Sequence, residues 1–143
     1  MSADPHAGPD AGTAAGLPHA HVAWVLRTLT ALCVATSGAV HLYLWQDGMR
    51  NVDIVGPAFL VNGVGGLLLA VLLLMWTAIW PLLGSIGFGL ATFGAFVVAT
   101  SASGLFGVHS RWQGVPEWTS AITEVAAVLL ASAAIWRERP GRL

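Results

Sequence analysis

The stretch Pro57–Trp76, PAFLVNGVGGLLLAVLLLMW, contains no Arg, Lys, Asp or Glu, and Asn62 is its one strongly polar side chain. About 20 apolar residues at about 1.5 Å of helical rise each match a hydrocarbon core about 30 Å thick. A backbone in contact with lipid must satisfy its hydrogen bonds internally, so the stretch predicts a membrane-spanning α-helix. On either side of it, three further runs have the same character: about Thr28–Trp45, preceded by Trp24 and Arg27, about Pro81–Phe106, and about Trp118–Trp136. Pro57, Pro81 and Pro116 fall at or just before helix starts, where a missing N–H does no harm. The breaks Gln46–Gly56, Thr77–Trp80 and Gly107–Glu117 are short and rich in turn residues. Short connections make sequence neighbours antiparallel, so the expected fold is all-α, a four-transmembrane-helix up-down-up-down bundle.

Composition supports this and excludes much else. Of 143 residues, 56% are hydrophobic and 9% charged, and the mean hydropathy is +0.74. A soluble domain carries about 25% charged residues, and so short a chain buries too little surface to hide this much apolar area from water. A soluble enzyme and a disordered protein are both excluded. A net charge of -1 leaves no footprint for nucleic acid. The single cysteine, Cys33, can form neither an internal disulfide nor a redox pair. All six basic residues are Arg, and Ala and Gly abound, which points to a GC-rich bacterial genome.

Residues 1–21 hold Ala, Gly, Pro, Asp and His with no apolar run, and predict a disordered cytoplasmic tail. They lack the basic start and apolar core of a secretory signal. His6, His19 and His21 lie there at spacings that match no metal motif. The expected organisation is this tail, a membrane domain over 22–137, and a cytoplasmic C-terminal tail over 138–143.

An even number of spans places both ends on one side. That side carries Arg27, Arg137, Arg139 and Arg142, against Arg50 and Arg111 on the other. The positive-inside rule therefore puts both termini in the cytoplasm of a bacterial plasma membrane. All seven Trp fall at expected span edges, where amphipathic rings prefer to lie.

Lipid tails are as apolar as Leu, so helices associate through small residues that let backbones approach. Three stripes stand out: Asn62, Gly66 and Ala70 in the second span; Gly87, Ala91, Ala95, Ala99 and Ser103 in the third; and Ser120, Glu124, Ala127, Ala131 and Ala134 in the fourth. They predict the inward faces.

Glu124 is the one acidic side chain well inside a span, and a charge there costs at least about 2.5–3.5 kcal/mol unless it is paired within the bundle. At helical rise, His41, Asn62 and Glu124 lie about 6–9 Å below the outer edge, with Thr100 and Ser103 at similar depth. The topology brings these five residues, from all four helices, into one outer-leaflet layer. Such a layer has several uses. It can be a polar clasp that fixes helix register, with each bond worth about 0.6–2 kcal/mol. It can be a proton or small-solute site, or hold a quinone or lipid headgroup. With His109 on the adjacent loop, His41, His109 and Glu124 could bind Zn or Cu. Haem is disfavoured, because His41 is the only membrane-depth histidine.

The segments His41-Leu42-Tyr43-Leu44-Trp45 and Gly56-Pro57-Ala58-Phe59-Leu60-Val61-Asn62-Gly63 resemble small four-helix integral membrane proteins of actinobacterial type. The resemblance covers about the first half of the membrane region. It implies the four-helix membrane fold and carries no activity. Small multidrug transporters also have four helices and one membrane Glu, but theirs lies in the first helix and Glu124 in the fourth.

No nucleophile–base pair and no nucleotide loop is visible in the sequence, so an enzyme is disfavoured and no cofactor is expected. Small size and loops too short to fold alone point to a non-catalytic subunit or accessory protein of a larger membrane complex. The expected partners are the lipid bilayer and other membrane subunits or further copies of the chain. The competing expectation is a small proton-coupled transporter or permease built on His41, Asn62 and Glu124.

Overall fold

The computed structural model describes residues 22–139. Among them are α1 (Trp24–Gln46), α2 (Val55–Met75), α3 (Trp80–Thr100) and α4 (Val115–Glu138), with a 3-10 turn at Met49–Asn51. No strand forms among the described residues; an isolated bridge pairs Leu105 with Val108. All four helices are long and apolar enough to cross a membrane. The expected tail over 1–21, with its three histidines, lies outside the described residues, as do residues 140–143.

Boundaries differ from expectation in every helix, and three of the differences have a local reason. α1 begins at Trp24, so Arg27 belongs to the helix. α4 continues through Glu138, which the sequence placed in the C-terminal tail. In both cases a charge expected outside the span lies within the helix, held by a partner of opposite sign. α3 ends at Thr100, short of Phe106, and Ser101 turns into extended backbone. The chain then folds into a tight hairpin in which the Leu105 and Val108 N–H groups each donate to the other residue's carbonyl at 2.9 Å. Gly104 has φ 64°, Phe106 φ 50° and Gly107 φ 80°. The apolar pair Leu105-Phe106 extends the hydrophobic run without extending the helix. A Cβ on Gly104 would come within 2.9 Å of the His109 ring, so this turn requires glycine twice over, for space and for φ.

α1 packs against both α2 and α4, and α3 packs mainly on α4. The α1–α2 contact is a backbone approach through glycine. A Cβ on Gly38 would lie 2.7 Å from the Gly63 carbonyl oxygen, and one on Gly66 would lie 2.6 Å from that of Val34. This is the small-residue packing that helices in lipid rely on. In α4 the whole expected stripe, Ser120, Glu124, Ala127, Ala131 and Ala134, is buried. In α2 Gly66 and Ala70 are buried.

The α3 face is rotated from expectation. Its buried residues are Pro81, Leu82, Ser85, Gly89, Thr92 and Ala99, while Gly87, Ala91 and Ser103 are exposed. Gly89 sets the face: a Cβ there would lie 2.7 Å from both the Glu124 carbonyl oxygen and the Val128 side chain. α4 therefore selects the Ser85/Gly89/Thr92 side of α3. The longer small-residue stripe reflects how common Ala and Gly are in this chain.

Candidate functional site

Two polar clusters and one cavity carry the chemistry of the bundle. The first cluster lies where the start of α1, the α2–α3 link and the end of α4 meet. Arg27 is fully buried there. Its Nε donates to Glu138 Oε1 at 2.7 Å and its Nη2 to Glu138 Oε2 at 2.7 Å, a two-point ion pair. Nη1 donates to the Trp76 carbonyl at 3.0 Å, and Nη2 reaches those of Thr77 and Ala78 at 2.7 and 3.0 Å. The two protons of Nη2 thus serve three acceptors. These carbonyls follow the end of α2, where helix geometry leaves acceptors without intrahelical donors and the dipole favours a cation. Glu138 Oε1 also accepts the Ala23 backbone N–H at 2.9 Å, which closes the entry to α1. Sequence reasoning treated Arg27 as an orientation signal only. The available clue was the pairing of one Arg at the first span's start with one Glu at the last span's end.

The second cluster lies deeper. Glu124 is 1% exposed. Its Oε1 accepts hydrogen bonds from Ser120 Oγ at 2.5 Å, one turn back on α4, and from Ser37 Oγ at 3.0 Å, on α1. The backbone carbonyl of Ser37 accepts from His41 Nδ1 at 2.8 Å. A carbonyl can only accept, so the His41 proton resides on Nδ1 in this contact. Ser37 therefore serves as the intermediary between Glu124 and His41. Among the described residues no hydrogen bond joins Glu124 to His41 or to Asn62.

Asn62 pairs across the other seam. Its Oδ1 lies 3.0 Å from Thr92 Oγ1, which also reaches the Phe88 carbonyl at 2.7 Å, so one hydroxyl proton is divided between two acceptors. The expected layer is thus two separate contacts, Glu124–Ser37–His41 between α1 and α4, and Asn62–Thr92 between α2 and α3. Ser37 and Thr92 carried no weight in the sequence reading, because hydroxyls recur along these runs and sequence alone does not mark which of them meets a partner.

Thr100 and Ser103 do not join either contact. Thr100 Oγ1 donates back to Val97 O at 2.8 Å, and Ser103 Oγ shares a bond with Ser101 Oγ at 2.9 Å on the exposed turn. The early end of α3 removes both from the layer. His109 stands on the loop, with Nε2 at 3.3 Å from the Ala102 carbonyl. Among the described residues, no three of His, Cys, Asp and Glu come together in a group that could hold a metal ion. His41, His109 and Glu124 are accordingly not assembled as a ligand set.

Between α2 and α3 lies a cavity of about 330 Å³ whose walls include His41, Asn62 and Thr92, while Glu124 lies outside it. Chemically, the bundle offers a sealed carboxylate held by two hydroxyls and, separately, an apolar cavity with a polar wall. No family model, curated protein or solved structure matches this chain.

Proposed function

We propose that this chain is a multi-pass protein of a bacterial plasma membrane, an up-down-up-down bundle with both termini in the cytoplasm. In this reading it serves as a non-catalytic subunit or accessory protein of a larger membrane complex. The observation that carries it is the use of the two interior charges: Arg27 and Glu124 are both buried and bonded to other helices, and neither lines the cavity. Charges held this way fix helix register and are themselves not free for turnover. The up-down order is supported by the meeting of Arg27, the 76–78 carbonyls and Glu138 at one end. The orientation rests on the four-to-two Arg asymmetry and keeps its basis despite the Arg27–Glu138 pair, because acidic residues count for little in that rule. α2 exposes Val61, Leu68 and Leu74, an apolar surface suited to lipid or neighbouring subunits.

A small proton-coupled transporter is the second reading. The placement of His41 and Asn62 on a cavity wall favours it, and the enclosure of Glu124 outside that cavity weighs against it. Extraction of native membranes in mild detergents separates the two. A subunit migrates in an assembly with a partner at fixed stoichiometry, whereas recovery of the chain alone in every detergent overturns that role. Orientation is tested by an impermeant thiol reagent on intact cells, with cysteines at positions 51 and 110 in a Cys33→Ser background. Labelling at both is expected; protection of both, with labelling of the N-terminal segment, inverts the topology.

A further inference from the structure

The α2–α3 cavity has unused hydrogen-bonding capacity of a definite kind. His41 Nδ1 is committed to the Ser37 carbonyl, so the neutral ring presents Nε2 as an acceptor, and Nε2 has no partner among the described residues. Asn62 Oδ1 is engaged by Thr92, and the two Nδ2 hydrogens likewise have no partner there. Both residues line the same cavity, so these two side chains give its wall an acceptor and a donor beside the hydroxyls of Thr92 and Ser110. No Arg, Asp or Glu lines it.

These two groups select a ligand class. A hydroxyl donates to His41 Nε2 and accepts from Asn62 Nδ2 through one oxygen. A ketone or quinone carbonyl only accepts and leaves Nε2 unmatched. A carboxylate or phosphate only accepts and meets no cation. A hydrocarbon chain leaves both groups unmatched, and an unmet polar group away from water is costly. Apart from the Thr92 and Ser110 hydroxyls, the remaining wall is apolar. Ala91, Ala95 and Ala99 line it on α3, and the Phe59 and Phe96 rings bound it. Both rings are braced, Phe59 against the His41 ring with centroids 5.1 Å apart and Phe96 edge-on to Trp112 at 4.5 Å. About 330 Å³ is at the small end of ligand pockets, room for a ring with one alkyl chain or a single long chain and too little for a diacyl lipid. Val61 and Phe106, 71% and 68% exposed, are among its lining residues, so the cavity reaches the apolar outer surface of the bundle. Phe106 holds φ 50°, a conformation an aromatic residue rarely adopts, at this rim.

We propose that the α2–α3 cavity is a binding site for an uncharged, hydroxyl-bearing lipophile, a phenol or a long-chain alcohol, that enters from the bilayer and places its hydroxyl between His41 Nε2 and Asn62 Nδ2. The site is independent of the accessory role.

The test uses the full chain in phosphatidylcholine nanodiscs and radiolabelled 4-octylphenol, with empty nanodiscs to subtract partitioning. Saturable binding is expected, with the methyl ether 4-octylanisole at least tenfold weaker as a competitor. This comparison needs no variant. 1-Dodecanol is the second arm: competition at similar concentration assigns the site to alcohols generally, and failure to compete restricts it to phenols, either result supporting the hydroxyl site. Ala95→Leu fills the cavity without touching a polar group and should abolish saturable binding in a protein of unchanged helicity. His41→Phe should weaken phenol about tenfold and erase its advantage over the ether. Absence of saturable phenol binding to the wild-type chain, equal affinity of phenol and ether, or undiminished binding in folded Ala95→Leu overturns the proposal.

Discussion

The two ends of this bundle are held by different means. At the Arg27 end, one guanidinium joins α1 to α4 and to the α2–α3 link, and the link itself is only a few residues long. At the opposite end, α3 and α4 are separated by residues 101–114, Asn62–Thr92 is the one side-chain hydrogen bond between α2 and α3 among the described residues, and a cavity opens between them. A small membrane bundle can in this way divide rigidity from access. Apolar contact cannot discriminate between a neighbouring helix and lipid, so order depends on where polar groups and glycines are placed. In this chain they join α1 to α2 and α4, and α3 to α4, and leave the α2–α3 seam loose.

That contrast can be broken first at Arg27. Arg27→Ala leaves three carbonyls without their donor and Glu138 with the Ala23 N–H alone, and removing one partner of a largely buried ion pair costs up to about 3–5 kcal/mol. Reversible unfolding in mixed detergent micelles should show a loss of this size, larger than for any substitution at Glu124 or Thr92. The double variant Arg27→Leu with Glu138→Leu should recover part of it, because replacing both partners removes the uncompensated charge. A cost below about 1 kcal/mol for Arg27→Ala would refute the view that this end is the tighter one.

Glu124 supplies the next effect. Glu124→Leu strands the Ser37 and Ser120 hydroxyls and should cost about 1–3 kcal/mol in the same assay. Glu124→Gln keeps an acceptor oxygen at that position, so it should fold with a smaller loss and preserve the cellular phenotype of a structural residue. Loss of phenotype in a folded Gln variant would move Glu124 from clasp to working group.

The smallest effect belongs to the loose seam. Thr92→Val removes the contact with Asn62 at nearly constant volume, and interhelical bonds of this kind average about 0.6 kcal/mol. A cost several times larger would show that the α2–α3 seam is as firmly held as the Arg27 end, and the contrast between the ends would fail.

Much of the candidate site was legible in the residues. Glu124 had to face the bundle because a lone carboxylate at membrane depth has nowhere else to go, and Ser120 shares its helical face. Asn62 was legible as a polar interruption of a purely apolar run. Their partners were not. Helical rise gives depth, so His41, Asn62 and Glu124 could be placed in one layer, but depth says nothing about which neighbour a side chain meets around the bundle. The rotations of α1 and α3 send Glu124 to Ser37 and Asn62 to Thr92. Thr100 and Ser103 left the layer because hydropathy continues through Leu105 and Phe106 while the helix stops at Thr100.

Four long apolar helices, their rough positions and the buried face of α4 follow from the residues alone. They do so because the lack of water in a hydrocarbon core makes length, apolarity and internal hydrogen bonding obligatory for each segment by itself. Which face of α3 packs, that Arg27 and Glu138 close one end, and that a cavity opens at the other emerge only once the helices are assembled. These features depend on pairs of residues far apart in the chain, Gly89 with Glu124, Arg27 with Glu138, and Asn62 with Thr92. A pairing of that kind has no local signature: its energy arises only when two helices stand at a particular distance and rotation.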